Sequence, residues 1–435
     1  MGDIGVSIKE LRIESGMTQE QLAENSGLSV RAIRDIERGS TRKPYRHSLK
    51  LMAEAIGLSE DETTELIGTV YMRPNGRGRN QRDAHQSAHR PHSVGQPVLA
   101  HLPPGPAGLI GREDALAWLD KTLLVAAETT AVALLAGGPG AGKSAIALRW
   151  AHRSAKLFPD GVLYADLRGF DALPALSPEL VLRRLLRAAG VPDHHVPLTL
   201  EECSALFRST FAGRRCLVVL DNAASVEQVR PLLADAPHCR TLLTSRSAMT
   251  GLVIRNGVHR YGVPYLSDRE SLLLFESMLG ASRLPRSEDA ESLVALCDHS
   301  PLAIRLMGER VRRQPHISVR HIAARAALRG SPLRAFETPG DPHSSVRTLL
   351  SWSYAALPAS AKNVFTSLGR LQESMVDFRE ADILHTAVGL AADQVADGVE
   401  WLVEAHLLDE VTPGSYRMNN LIRWYARELA EGGTE

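Results

Sequence analysis

The stretch VALLAGGPGAGKS, residues 132–144, decides how this chain is read. Val132 to Ala136 is a short apolar run of strand type, Gly137 to Ser144 fits G-x-x-x-x-G-K-S, and Ala145 to about His152 reads as a helix. Strand, glycine-rich loop and helix in that order form a cradle for phosphate. Gly137, Gly138, Gly140 and Gly142 allow backbone N–H groups to turn inward around phosphate oxygens, and the helix N-terminus adds positive field. Ala141 and Ala145 belong to the same cradle. Lys143 would reach the terminal phosphates of a nucleotide and Ser144 would ligate Mg2+. That lysine stands out, because the chain has only seven (at 9, 43, 50, 121, 143, 156 and 362) among 50 basic residues.

Outward from the loop, short β-type runs at Val162 to Leu167, Leu217 to Leu220, Thr241 to Ser245 and Val258 to Val263 alternate with helical segments. The alternation predicts an α/β domain whose parallel sheet is covered on both faces. The apolar run Cys216 to Leu220 ends in Asp221-Asn222, where an acid would stand beside the phosphate loop and hold Mg2+ through water. A second acid often follows it and activates the attacking water. Asn222 stands there instead, so the chain is expected to be at most a slow ATPase. Arg246 follows the run Thr241 to Ser245 and is placed at the carboxyl edge of the sheet to sense a γ-phosphate. Leu266 to about Arg329 reads as helical, Gly330 to Pro342 as a break, and the remainder as helices with one hairpin, Leu407 to Val411 and Tyr416 to Met418 around Pro413-Gly414.

The first 70 or so residues lack strand alternation and read as a small all-helical unit. Thr18 can cap a helix from Gln19 to Asn25, Gly27 makes a turn, and Ser29 can cap a second helix from Val30 to about Arg38. Two helices across a tight glycine turn form the helix-turn-helix plan. Val30, Ile33 and Ile36 would face inward, and Arg31, Arg34 and Arg38 would share the outward face. From Arg31 to Lys50, seven basic residues (31, 34, 38, 42, 43, 46 and 50) stand against Asp35 and Glu37, a local +5 that is the electrostatic footprint of a DNA reader. Between Met72 and about Gly108 the composition shifts to Arg, His, Gly and Pro. Arg73, Arg77, Arg79, Arg82 and Arg90 against Asp83 give this expected tether a net +4.

These local charges vanish in the total, since 50 Lys plus Arg balance 50 Asp plus Glu in 435 residues. Zero net charge excludes a protein that coats nucleic acid or acidic membranes by bulk charge. The length suggests roughly three domains at about 150 residues each. Hydrophobic residues at 44% and charged residues at 23% are those of a globular chain. Cys203, Cys216, Cys239 and Cys297 form no C-x-x-C pair, which indicates neither a zinc site nor a disulfide framework and fits a reducing cytoplasm. No apolar run approaches the roughly 20 residues that span a bilayer. His85, His89 and His92 have helical spacing but sit in the tether, so no metal site is expected there. Trp352, Tyr354, Trp401, Trp424 and Tyr425 are read as core.

The run MTQEQLAENSGLSVRAIRDIERG closely resembles the Xre/Cro-type helix-turn-helix family over about 60 residues. The resemblance implies that Gln19 touches DNA phosphate and that Ser29, Val30, Arg31 and Arg34 meet base edges. Arg38, Arg42 and Lys43 fit backbone contacts, which supply affinity more than sequence information. Farther along, LIGRE at 109–113, the phosphate loop, LYADLRG at 163–169, LVVLDNA at 217–223, LLTSR at 242–246 and SPLAIRL at 300–306 together resemble the NB-ARC module of signal-transduction (STAND-class) P-loop ATPases. The combination is similar to actinobacterial transcriptional regulators. It implies a helix-turn-helix domain over 1–70, a basic linker over 71–107, a P-loop nucleotide-binding domain over 108–264, a helical subdomain over 265–335 and a winged-helix subdomain over 336–435. By the same resemblance Gly111 and Arg112 border adenine and ribose, Pro301 packs on the base, and ATP or ADP with Mg2+ is the ligand.

Two features depart from that family. Its winged-helix subdomain normally carries a Met-His-Asp motif whose histidine contacts the β-phosphate of ADP, whereas here Met418-Asn419-Asn420 stands. Asn419 could offer an amide to the nucleotide but no imidazole charge, so a charge-assisted contact of about 1.5–3 kcal/mol is missing and a weaker ADP lock is expected. Larger relatives continue into repeats, whereas this chain stops at Glu435 after a predicted helix from Leu421 to Ala430, as a short regulator or a fragment. The expected function is a nucleotide-switched DNA-binding regulator, cytoplasmic and nucleoid-associated, acting as a homo-oligomer on a pseudo-palindromic operator without a membrane partner. The alternative is an ATP-driven remodelling or defence scaffold that uses its helix-turn-helix for docking.

Overall fold

The computed structural model describes residues 9, 11–13, 15, 17–26, 30–37, 52–53, 55–56, 102–106, 108–125, 131–234, 236–279, 287–327, 332–338, 340–371, 377–379, 382–383 and 390–432. Two compact units divide the chain, Met1–His92 and Ser93–Glu435.

In the first unit, helices α1 (Gln19–Ser26) and α2 (Val30–Glu37) occupy the two places the sequence assigns. Thr18 opens α1 reciprocally: its hydroxyl accepts from Gln21 N at 3.2 Å, and its own N–H donates to Gln21 Oε1 at 2.9 Å. Ile33 and Ile36 are buried with Leu22, Ala23 and Met52, while Val30 packs at the rim of that cluster. Arg34 is exposed on the opposite face. The calls on Ser29, Arg38, Arg42 and Lys43, the tether up to residue 101 and its three histidines lie outside the described residues, as does the side chain of Arg31. The expected tether ends early: residues 102–106 belong to the second unit, where Leu102 packs against its core and Pro103 O lies 2.7 Å from His152 Nε2.

The second unit is built on a five-stranded sheet of β1 (Ala131–Ala136), β2 (Val162–Asp166), β3 (Leu217–Ala223), β4 (Arg240–Ser245) and β5 (His259–Gly262), in spatial order β2-β3-β4-β1-β5 and parallel throughout. All six residues of β1 are buried, as expected of a central strand covered on both faces. Its side chains alternate between two cores: Val132, Leu134 and Ala136 join one cluster, Ala131, Ala133 and Leu135 the other. Helices α5 (Pro178–Ala188) and α6 (Leu200–Phe211) cover the first face. Helices α3 (Glu113–Leu124) and α4 (Lys143–Ser154) cover the second.

The carboxyl ends of these strands are locally irregular, and that irregularity shapes the site. The β3–β4 register shifts between Leu220 and Ala223, and Asn222 takes φ +56°. The loop after β2 comes so close that Gly169 N donates to Asn222 O at 2.6 Å. A Cβ at Gly169 would lie 2.4 Å from Ala224 N, so only glycine fits.

After a short helix α7 (Thr250–Asn256) and β5, the chain is mainly helical: α8 (Asp268–Leu279), α9 (Ser287–Leu296), α10 (Pro301–Arg313), α11 (Val319–Ala327), α12 (Val346–Ala355) and α13 (Ala359–Leu368). Then come β6 (Asp377–Arg379), α14 (Ala392–Glu404), β7 (Asp409–Thr412), β8 (Ser415–Arg417) and α15 (Asn420–Gly432). The expected hairpin is β7–β8, turned at Gly414 with φ +73°. Strand β6, which no sequence pattern announced, pairs antiparallel with β8. Buried residues from Leu266 through Phe336 to Ala426 form one continuous cluster, which includes Tyr425 and is flanked by Tyr354 and Trp424. Trp401 is 51% exposed, against its reading as core.

Candidate nucleotide-binding site

The phosphate loop joins β1 to α4, and its backbone needs glycine where it bends. Gly140 and Gly142 have φ +77° and +92°, and Gly142 is the residue before the first turn of α4. A cavity of about 450 Å³ opens against the loop and the carboxyl ends of β2, β3 and β4. Gly140, Ala141, Gly142, Lys143, Ser144 and Ala145 all line it. Gly137 and Gly138 contribute differently: their carbonyls accept from Lys143 Nζ at 2.7 and 2.8 Å. Those are the only hydrogen bonds of Lys143, and no ion pair relieves it among the described residues. Burial, with Arg246 nearby, brings its pKa down to about 7 despite the opposing charge of Asp221.

Asp221 closes β3 and is 7% exposed. Its Oδ1 accepts from Ser144 Oγ at 2.8 Å and from Thr244 Oγ1, and its Oδ2 accepts from Tyr164 OH at 3.1 Å. Ser144 and Asp221, expected to share a Mg2+ ion, thus stand in direct contact across 77 residues of sequence. Their oxygens suit a hard divalent cation. Tyr164 and Thr244 carried no signal in the sequence. They come to Asp221 only because β2, β3 and β4 lie side by side. The Tyr164 phenol is pushed above its ordinary range by burial and by the Asp221 charge. Asn222 is fixed by its own N–H, which donates to Thr244 Oγ1 at 2.9 Å, and by Nδ2, which donates to Phe170 O at 3.4 Å.

Arg246 lines the same cavity, yet its Nη1 donates to Leu349 O at 2.6 Å and to Ser353 Oγ at 2.9 Å, both on α12. The guanidinium lies 5.0 Å from the centre of the Phe170 ring, and burial lowers its pKa to about 10. Leu109, Ile110, Leu266, Pro301 and Leu302 line the same cavity and supply apolar surface. Arg112 Nη2 donates to Ala141 O at 2.9 Å, and burial lowers its pKa against the pull of Glu270. Gly111 precedes it at φ +65°.

Asn419 is not among the residues of this cavity. It lines a smaller neighbouring pocket with Pro139 and Gly140. Its Oδ1 accepts from Leu421 N at 3.0 Å, starting α15, and its Nδ2 donates to Asp298 O at 3.4 Å. A histidine that does lie near the loop is His406, unmarked by any motif, while His343 lines the cavity itself. The His406 carbonyl would be 3.5 Å from a Cβ at Gly138, its Nε2 is buried without a hydrogen-bond partner, and burial beside Lys143 lowers its pKa to about 4. In the first unit, Gln19 Nε2 donates to Glu37 Oε2 at 2.6 Å.

Among the described residues no helix is long and apolar enough to cross a membrane, and no group of three or more His, Cys, Asp or Glu could hold a metal ion by itself. Fold and loop together define a chain with a helix-turn-helix region and an α/β domain of the P-loop ATPase type. The family model described as "Helix-turn-helix" matches residues 8–62. The chain's fold is similar to that of the Walker-type ATPase PABY2304 of Pyrococcus abyssi, with 13% identity, 73% of this chain and 96% of that one covered, and a TM-score of 0.51.

Among curated proteins, the chain is similar to the regulatory protein AfsR of Streptomyces griseus, 36% identical over 334 residues. Those residues are 76% of this chain and 33% of that protein. The AfsR of Streptomyces coelicolor is 37% identical over 302 residues, 69% of this chain and 29% of that protein. The chain thus spans about a third of the length of the curated relatives it matches.

Proposed function

We propose that the chain is a DNA-binding transcriptional regulator whose P-loop module binds ATP or ADP with Mg2+ and is switched by it. The observation that carries this reading is Lys143, a buried cation held, among the described residues, only by loop carbonyls at the start of α4, in a cavity lined in part by apolar side chains. Polyphosphate would restore the charge that burial disfavours, and the adenine would pack on Ile110, Pro301 and Leu302, with Gly111 and Arg112 beside it. Ser144 and Asp221 would hold Mg2+, which neutralises phosphate charge when bound. Likeness to regulatory proteins and the helix-turn-helix match at 8–62 support the DNA half, with Arg34 and its basic neighbours as the reading face.

The switch reading rests on Arg246. Residues 265–335 would act as the helical subdomain and 336–435 as the winged-helix subdomain, and Arg246 ties the latter to the phosphate cavity through α12. A γ-phosphate would compete for that guanidinium with Leu349 O and Ser353. Nucleotide thereby shifts the equilibrium by its differential affinity for the tied and released states. Two such chains would place their reading helices about one DNA turn, ~34 Å, apart on a pseudo-palindromic site. DNA selection with apo, ADP-bound and ATP-analogue-bound protein tests the whole. Sequence-specific enrichment that differs between nucleotides is expected, and no enrichment in any state defeats the proposal.

A further inference from the structure

The cavity contains two carboxylates to which the phosphate-loop reading gives no task, Asp166 and Asp171. Asp166 ends β2, is the register partner of Asp221 on β3, and lines the same cavity as Lys143 and Ser144. Register partners in a parallel pair point to the same face of the sheet, so the two acids stand side by side at the carboxyl edge. Their engagement differs sharply. Asp221 is buried and accepts from Ser144, Thr244 and Tyr164. Asp166 is exposed and lines the cavity; among the described residues it accepts only from Arg168 N, at 2.9 Å to Oδ1, which fixes the carboxylate and leaves Oδ2 without a hydrogen bond from them. The residue after Asp221 is an amide, and both its N–H and its side chain are already bound to Thr244 and Phe170. It has no proton affinity to offer water.

On the proposed nucleotide-binding reading, we infer that Asp166 is the general base of an ATP hydrolysis that Asn222 cannot support, a base brought in from the neighbouring strand. The water oxygen forms a bond to the γ-phosphorus, and the bond from that phosphorus to the β,γ-bridging oxygen breaks with its electron pair leaving on ADP. The water's proton passes to the Asp166 carboxylate and from there to bulk solvent. Asp171 lines the cavity too, but it faces His343 Nε2 at 3.7 Å and its side chain is 13% exposed. Asp166 is the acid with a free oxygen on the cavity.

Single-turnover hydrolysis of ATP by the full chain, alongside ATP affinity from a fluorescent analogue, tests this. Asp166→Asn is expected to slow hydrolysis about a hundredfold or more, the usual contribution of a general base, with affinity within threefold of the parent. Asp166→Glu, which restores a carboxylate, should recover part of the rate. Both variants must melt with the parent protein. Asp166→Ser replaces the Asn variant if that one does not. A parent that binds ATP without hydrolysing it, or a rate within threefold in the Asn or Ser variant, overturns the inference and leaves nucleotide binding standing. Absence of ATP affinity in the parent overturns both.

Discussion

Arg12 and Lys143 are equally buried cations, 8% exposed each, and the protein holds them in opposite ways. Arg12, in the helix-turn-helix unit, meets a full countercharge: Nε and Nη2 donate to the two oxygens of Glu37 at 2.6 and 3.2 Å, and Nη1 donates to Met17 O at 2.6 Å. Burial alone would raise the Glu37 pKa, but the Arg12 and Gln19 hydrogen bonds outweigh it and hold the carboxyl below its ordinary range. Among the described residues, Lys143 has only the loop carbonyls. A buried cation paired within the chain fixes a fold. One left to dipoles is a cost that a bound anion removes, so the same residue class marks structure in one region and a site in the other.

The largest expected effect comes from breaking the paired case. Glu37→Ala leaves the Arg12 guanidinium buried without a countercharge and should destabilise the first unit by about 3–5 kcal/mol, most of the stability of a unit that small. Limited proteolysis and circular dichroism should show the N-terminal helices melting first while the second unit persists. A melting profile unchanged from the parent would mean that Arg12 finds water in place of Glu37. The same substitution releases Gln19, whose amide is held by Glu37 rather than freed toward a partner.

Lys143→Met should act in the reverse direction. It removes an unfavourable buried charge, so the protein without nucleotide should be as stable as the parent or more so. Stabilisation by ligand at 100 times its dissociation constant, about 2.7 kcal/mol, should disappear. The sign with pH follows from the depressed lysine pKa. Between about 7 in the folded chain and the ordinary 10.5, the unfolded state binds the extra proton, so parent stability rises with pH across that window. Denaturant titrations at pH 7 and pH 9.5 should show the parent gaining on the Met variant. A constant difference would show that Lys143 is solvated.

How much of this was legible in the sequence differs between the loop and its surroundings. The β1–loop–α4 segment is local, and eight consecutive residues sufficed to place Lys143. The β-type runs also fell on the five strands: burial of both faces writes a continuous hydrophobic signature in β1 and β3, whereas β5, HRYG at the sheet edge, is mostly exposed and was marked by its flanking valines alone. The ring of Tyr164, Thr244 and Ser144 around Asp221 was half hidden, because strand order, not sequence distance, makes neighbours of residues tens of positions apart. Asn419 and Arg246 carried motif-level expectations about nucleotide. In the structure the first caps α15, and the second bonds α12 from within the cavity lining. His406 shows no pattern, being brought to Gly138 by the packing of α14 and β7.

The attachment of α14 to the loop after β4 is the next test of the contrast, because Glu404 is an anion satisfied by neutral donors. Its oxygens accept from Ser247 Oγ at 2.9 Å and Thr250 Oγ1 at 2.8 Å, and its carbonyl accepts from Ala248 N at 2.8 Å. Glu404→Ala should cost about 1.5 kcal/mol, the low end for hydrogen bonds to a charged group. Faster amide exchange at residues 247–250 should accompany it, with exchange in β1 unaltered. Uniform loosening of both would show that this contact is not a separate attachment.

The smallest effect belongs to the pair that repeats the chemistry of Arg12 and Glu37 on the surface. Arg187 Nε donates to Asp193 Oδ1, with side chains 53% and 57% exposed. Water already solvates both groups in the unfolded chain and largely in the folded one, so the ion pair gains little over its separated partners. Asp193→Asn should change stability by no more than about 0.5 kcal/mol, and added salt should erase even that. Set against Glu37→Ala, an arginine–carboxylate pair would then differ several-fold in effect, through burial and through the two further donors that Glu37 accepts. An equal cost at both sites, measured by denaturant unfolding at low and high salt, would mean that burial does not govern how this chain values its cations, and the assignment of Lys143 as an anion site would lose its physical basis.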